Sequence, residues 1–242
     1  MSNLLIDIGN SDVKVGYGNK DSLHVNFLKR FSYSKNNFEI DFENNLKKIC
    51  SKNNFGKIGI SVLKENNKTF LNKFFMQKPV YISKDLKLPV KIDYTSGIGN
   101  DRICSAAGAA EIYSNKNLLI IDFGTATTFT LVSDKVLKGG MISPGIKTSM
   151  LSLSEKTSLP AVELVFPKEF FGRNTIDNLR AGILFSSLYS AERIIKETKK
   201  KYARLFVIAT GGYSKLISRR TKLINKVDQH LVLRGINIIV SQ

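Results

Sequence analysis

Short apolar runs that end in polar glycine turns recur along this chain of 242 residues, and one of them occurs twice. Leu4-Leu5-Ile6-Asp7-Ile8-Gly9-Asn10-Ser11 returns as Leu119-Ile120-Ile121-Asp122-Phe123-Gly124-Thr125-Ala126. Each copy ends in Asp-x-Gly and continues into a second β-rich stretch, Val13-Lys14-Val15-Gly16-Tyr17 in one half and Thr127-Thr128-Phe129-Thr130-Leu131-Val132 in the other. That order predicts a strand, a glycine turn and a returning strand in each half. Helical spacing is expected over residues 38–50, from Ile40, Phe42, Leu46 and Ile49, and then a branched-rich strand over residues 57–63. A short helix over 66–75 and a strand over 79–83 complete the alternation of strands and helices that an α/β sheet with a mixed edge requires.

Residues 101–113 read as a helix whose Ala106, Ala107, Gly108, Ala109 and Ala110 permit close packing. The longest helix is expected over 179–202, with Leu179, Ile183, Leu184, Leu188, Ala191, Ile194 and Ile195 on one stripe. Residues 205–209 form a buried strand that breaks into Thr210-Gly211-Gly212, at the end where open α/β sheets hold ligands. Residues 231–236 read as a closing helix. The repeat favours two lobes of related build, with a soft boundary near residue 115.

Composition is that of a soluble globular protein, 43% hydrophobic and 24% charged, and no apolar run approaches the roughly 18 residues of a membrane span. Met1-Ser2-Asn3 leads directly into a strand, so secretion is not expected. Cys50 and Cys104 are far apart and predict reduced thiols rather than a disulfide or thiolate metal site. His24 and His230 lack companions at ligand spacing, which leaves them surface or core roles and sets zinc chemistry aside. The net charge of +17 would suit polyanions, nucleic acid included. Its Lys and Asn residues fall in expected loops and read mainly as compositional bias, while residues 196–201 should solvate a helix C-terminus.

The chemistry concentrates at the glycine turns. Asp beside Gly places a carboxylate next to exposed backbone N–H groups, because glycine lets the main chain turn tightly and approach a ligand. A lone Asp-x-Gly is an ordinary turn, but two facing one cleft suit a metal-bound triphosphate, with Asn10, Ser11, Thr125, Thr127 and Thr128 as donors. Asp7 and Asp122 are then candidates to hold Mg²⁺ through water. Gly211 and Gly212 would let a nucleotide base or ribose lie on the backbone. Neither a complete dinucleotide fingerprint nor a Walker-type loop is present. Gly99-Asn100-Asp101-Arg102 sets a carboxylate beside a guanidinium at a loop-to-helix junction. It reads either as an ordinary helix start with a surface Arg, or as a general base for a substrate hydroxyl with an anion anchor, the Arg keeping the Asp ionised. Residues 139–145 and 171–175 are polar-glycine loops that fit turns and binding loops equally.

Taken in order, Asp7-Ile-Gly-Asn-Ser11, Gly99-Asn-Asp-Arg102, Asp122-Phe-Gly-Thr-Ala-Thr-Thr128, Gly139-Gly-Met-Ile-Ser-Pro-Gly145, Gly172-Arg-Asn-Thr175, Thr210-Gly-Gly212 and Leu231-Val-Leu-Arg-Gly235 resemble type III pantothenate kinase. That family belongs to the acetate and sugar kinase/actin-like superfamily, and the match runs from residue 4 to about residue 239. The resemblance implies two ribonuclease-H-like lobes, residues 1–114 and 115–242, each a mixed sheet with flanking helices. It implies a homodimer that phosphorylates pantothenate with ATP, the first step toward coenzyme A, using Mg²⁺ with K⁺ or NH₄⁺; the expected cytoplasmic location rests instead on the reduced thiols and the N-terminal strand. By position, Asp101 is similar to the proton acceptor, and Gly99, Asn100, Asp101 and Arg102 to the substrate loop. Asp122 is similar to the potassium ligand, unlike the Mg²⁺ reading above. Asp7, Ile8, Gly9, Asn10, Ser11, Asp12, Val13, Lys14 and Thr125 are similar to ATP contacts, Thr175 to a substrate contact, and Tyr94 to a residue lining the pantothenate pocket. Ser11 replaces the usual Thr and Asn100 a small or apolar residue. Two other classes remain beside the kinase, a nucleic-acid-binding regulator suggested by the charge and an actin-like filament ATPase, and neither membrane nor nucleic acid is the expected partner.

Overall fold

The two Asp-x-Gly hairpins lie at the centre of two sheets that repeat one strand order. A computed structural model of the protein describes residues 1–20, 22–34, 36–52, 54–62, 67–113 and 115–242. The first sheet contains β1 (Ser2–Ile8), β2 (Asp12–Asn19), β3 (Val25–Ser32), β4 (Ile58–Val62) and β5 (Val80–Tyr81), in the order β3-β2-β1-β4-β5. A further two-residue strand, β6 (Lys91–Ile92), precedes the second half. There β7 (Asn117–Phe123), β8 (Ala126–Ser133), β9 (Val136–Pro144), β10 (Phe206–Thr210) and β11 (Lys226–Val227) run in the order β11-β10-β7-β8-β9. In each sheet the central strand pairs antiparallel with its hairpin mate and parallel with the strand on its other side. The repeat seen in the sequence is therefore a repeat of topology, and both sheets are mixed.

The helices are α1 (Phe38–Lys52), α2 (Asn67–Phe74), α3 (Asn100–Ile112), α4 (Ile146–Lys156), α5 (Thr175–Lys201), α6 (Ser214–Ser218) and α7 (Leu231–Ser241). The chain divides into two compact units, residues 1–114 with 135–137 and 230–242, and residues 115–134 with 138–229. The closing helix α7 thus packs with the first unit and not with the half that it follows in sequence. It is apolar almost all round, as a helix enclosed on every side must be. No helix among the described residues is long and apolar enough to cross a membrane.

Side-chain alternation along β1 decides which face carries chemistry. Leu4, Ile6 and Ile8, with Val13 and Val15 of β2, enter an apolar cluster with Phe38, Phe42 and Leu46 of α1 and Leu71 of α2. Leu5 and Asp7 face the opposite side. On that side Gly16 and Gly59 lie against Leu233 and Ile236 of α7, so α7 and α3 cover the face that bears Asp7. In the second unit the same alternation sends Leu119, Ile121 and Phe123 into a core with Leu179, Leu184, Leu188 and Ile195 of α5. The expected stripe on the longest helix is therefore its packing face.

Several expectations needed correction. Residues 139–144 form the body of β9 instead of a loop; Gly139 takes a φ of +146°, which glycine adopts without a steric cost. Only Val80 and Tyr81 pair within the expected strand 79–83. Ile40 is exposed, and Phe38 takes its place in the α1 face. The expected helix start at Asn66 and strand end at Leu63 lie outside the described residues.

One polar knot ties α7 to the first sheet. The Nδ2 group of Asn237, which is almost fully buried, donates to the carbonyls of Asn19 (3.0 Å) and Ser22 (3.1 Å), while its Oδ1 accepts from Asn3 at 3.1 Å. Asn237→Leu keeps the volume but strands those partners. It is expected to cost about 1–2 kcal/mol, measured as a lower denaturant midpoint at unchanged slope.

Candidate active site

The first unit gathers Asp7, Lys14, Asp101, Arg102 and Tyr94. Asp7 ends β1 opposite Lys14 on β2, and the Lys14 ammonium lies 3.4 Å from its carboxylate. Asp101 sits in the first turn of α3, where the Arg102 N–H donates to its Oδ1 at 2.9 Å. Burial first, and the Asp7 charge second, raise its pKa above the ordinary carboxylate value of 3.8. The Arg102 N–H, the Arg102 charge and Lys14 pull the other way and are outweighed. Arg102 does favour the ionised form of Asp101, as expected, but desolvation outweighs it in setting the direction of the shift. The result is a carboxylate with more than usual proton affinity, as a general base needs.

Arg102 is buried and is not the surface partner of the ordinary reading. Its guanidinium lies 5.4 Å from the centre of the Tyr94 ring and donates to the Tyr94 hydroxyl at 3.3 Å. Gly99 is the N-cap of α3 and supplies no side-chain cap. Asn100 does the anchoring: its Nδ2 donates to the carbonyl of Val62 at 2.9 Å and fastens the start of α3 to the end of β4. The unusual residue in the substrate-like loop thus has a structural task of its own.

The turn joining β1 to β2 is tied at both ends. The Gly9 N–H donates to the Asp12 carbonyl at 2.9 Å, and the Gly9 carbonyl accepts from the Tyr33 hydroxyl at 2.6 Å. Arg30 on β3 forms an ion pair with Asp12. Asn10 and Ser11 at the tip are exposed. No motif in the sequence singled out Tyr33 or Arg30, since both lie on the poorly patterned strand β3 or just after it.

In the second unit Asp122 ends β7 as Asp7 ends β1, paired in register with Thr128 on β8 and Thr210 on β10. Gly211 follows with φ +87°, in the left-handed region, and a Cβ there would run into Asp122 Oδ1 and the Phe123 carbonyl. Its glycine is demanded by the protein's own packing, while Gly212 is the exposed member of the pair. The Thr125 carbonyl, at the tip of this turn, accepts from the Gly145 N–H at 3.1 Å and from the Thr148 hydroxyl at 2.5 Å. Thr175 opens α5 beside its N-cap, Asn174, whose side chain accepts from the Asp177 N–H at 2.9 Å. The loop around residue 174 is thus first of all a helix cap.

Among the described residues no group of three His, Cys, Asp or Glu side chains forms a metal cage. Single carboxylates at strand ends, Asp7 and Asp122, are instead the donor type that Mg²⁺ uses when most of its ligands are water and phosphate. His24 is exposed, and His230 stacks on Phe27 at 4.9 Å. Cys50 and Cys104 are free, and burial raises both thiols above their ordinary pKa. A cavity of about 640 Å³ in the first unit, lined by Leu4, Phe55, Ile58 and Phe74, touches none of the candidate residues.

Against known proteins, a family model described as type III pantothenate kinase matches residues 3–197. A type III pantothenate kinase of Brevibacillus brevis is 33% identical over 98% of this chain and 97% of its own. Among solved structures, a Campylobacter jejuni protein described as a conserved Baf family transcriptional activator superposes with a TM-score of 0.62 at 22% identity, over 98% of this chain and 96% of its own. A glucokinase of the ROK family from Streptomyces griseus superposes with a TM-score of 0.52 at 12% identity, over 98% of both chains. At such identities the superpositions establish the fold, that of the actin-like ATPases and sugar kinases.

Proposed function

The chain belongs to the type III pantothenate kinase family, and from that membership we propose that it transfers the γ-phosphoryl group of ATP to the hydroxyl of pantothenate, giving 4'-phosphopantothenate for coenzyme A synthesis. The observation that carries the reading is the Asp101 carboxylate, half-buried beside Asp7 and raised in proton affinity, at the start of a helix whose next residue is a buried Arg. In the proposed step the substrate hydroxyl loses its proton to Asp101 as its oxygen attacks the γ-phosphorus, and the bond to the β–γ bridging oxygen breaks to release ADP. Little covalent chemistry falls to the protein in such a transfer, so positioning and charge neutralisation supply the rest.

Roles for the remaining residues follow. Arg102 and Tyr94, joined by their hydrogen bond, are assigned with Gly99, Asn100 and Thr175 to pantothenate. The turn from Asp7 to Lys14, with Thr125, Gly211 and Gly212, is assigned to the nucleotide. Asp7 is assigned to Mg²⁺ through water, and Asp122 to K⁺ or NH₄⁺; bound there, these cations would neutralise charge on the phosphates. We assign the N-terminal and C-terminal actin-like lobes to residues 1–114 and 115–242, with α7 packed back on the first, and place the enzyme in the cytoplasm. A homodimer is supported by the outer face of α5, where Gly182, Ser186 and Ser190 form an exposed small-residue stripe flanked by exposed Tyr189. Exposed Phe170 and Phe171 lie close by, Phe170 packing on Tyr189.

The test is direct. Purified protein given ATP, Mg²⁺ and pantothenate should form phosphopantothenate detectable by mass spectrometry, faster with K⁺ than with Na⁺. Absence of the product under both cations would remove the proposal.

A further inference from the structure

We propose that Tyr33 is a positioning residue for the nucleotide, holding the Gly9–Asn10 peptide with its N–H turned toward a phosphate oxygen. The inference rests on the ATP reading above. In a trans peptide the carbonyl of one residue and the N–H of the next point in opposite directions, and no cis peptide bond occurs among the described residues. The Gly9 carbonyl is drawn to the Tyr33 hydroxyl at 2.6 Å. The Asn10 N–H is consequently aimed away from Tyr33, at an exposed tip.

A glycine peptide flips at little steric cost, so the turn by itself does not select one orientation. The flipped state would show a polyanion the Gly9 carbonyl instead of the Asn10 N–H, which replaces attraction by repulsion. Tyr33 biases that choice from outside the motif. Its ring is braced edge-on by Phe38, with centroids 5.0 Å apart at 79°. Burial, and then the charge of Asp12, raise its hydroxyl pKa, so it stays a donor through neutral pH. Arg30 secures the other end of the turn: its Nε donates to Asp12 Oδ2 at 3.0 Å, which also offsets a carboxylate that would repel phosphate.

Tyr33→Phe removes only the hydroxyl. The KM for ATP should rise about 5- to 10-fold, the weight of one hydrogen bond, while kcat and the KM for pantothenate stay near their original values. Calorimetric titration with ADP should show the same loss, and the melting temperature without nucleotide should barely move. Equal ADP affinity in variant and parent would overturn the proposal, as would a variant that loses its thermal transition, because Tyr33 would then be a packing residue. A parent that binds ADP but does not phosphorylate pantothenate would defeat the functional reading, and the affinity comparison would still decide the role of Tyr33. A parent that binds no nucleotide would end both.

Discussion

Asp101→Asn should lower turnover by about 10²- to 10⁴-fold, the usual contribution of a positioned base, without weakening the fold. Asparagine has nearly the same shape and can still accept the Arg102 N–H through its carbonyl oxygen, but it cannot take a proton. The stability side has a definite sign. Burial and the Asp7 charge raise the folded pKa of Asp101 above its ordinary value. Folding therefore favours its protonated form; that advantage is complete below the unfolded pKa and is lost as pH rises through the folded one. At neutral pH the ionised group is a strained one, and the variant should melt at the same temperature as the parent or slightly higher. Activity of the parent should climb as pH rises through the folded pKa of Asp101, which lies above the ordinary carboxylate value of 3.8. A variant that is both inactive and unfolded would show Asp101 to be structural.

Gly235→Val should damage the first unit severely, by about 3 kcal/mol, at the upper end of overpacking costs. The reason is backbone against backbone. A Cβ at Gly235 would overlap the Cys104 carbonyl, and one at Gly108 would stand 2.9 Å from the Leu231 carbonyl, so α3 and α7 cross with a glycine from each at the contact. A side chain there cannot be accommodated by a rotamer change, since the obstructing atoms belong to a helix. In a unit of this size such a loss lowers the melting temperature by roughly 10 °C. Because α3 carries Asp101 and Arg102 at its start, activity should fall before global unfolding, and a temperature series of kcat beside circular dichroism would show the two losses in that order. A melting temperature within about 2 °C of the parent, less than 1 kcal/mol would produce, would contradict the close crossing.

These two residues also mark what the sequence could and could not disclose. The central strands were legible because a strand covered on both faces leaves an unbroken apolar run, as in 4–6 and 119–121, and because Asp7 and Asp122 repeat the same ending. The long helix was legible from its stripe at Leu184, Leu188, Ala191 and Ile195, all buried in the structure. The strand β3 was missed because only its end residues, Val25 and Phe31, are buried while Asn26, Lys29 and Arg30 face solvent. The helix α4 was missed because serines interrupt its short apolar pattern, leaving only Ile146 and Met150 buried.

Partnerships across long separations left no local trace. The run of small residues from Ala106 to Ala110 announced that something packs closely on α3, but not that it would be a helix more than a hundred residues on, in the other half of the repeat. At the site, the pairing of Asp101 with Arg102 could be read directly. The environment reversed part of its meaning, because depth of burial belongs to the fold: Arg102 went inside against Tyr94, and Asp101 gained proton affinity. Tyr33 and Arg30 belong to no motif, and only the pairing of β2 with β3 brings them to the turn.

The decisive measurement is a crystal structure of the protein with pantothenate and a non-hydrolysable ATP analogue bound. The proposed mechanism requires an Asp101 carboxylate oxygen at about 2.6–3.2 Å from the acceptor hydroxyl, or joined to it by a single water. A hydroxyl beyond that reach, with another side chain beside it, would contradict the assignment of Asp101 as the base.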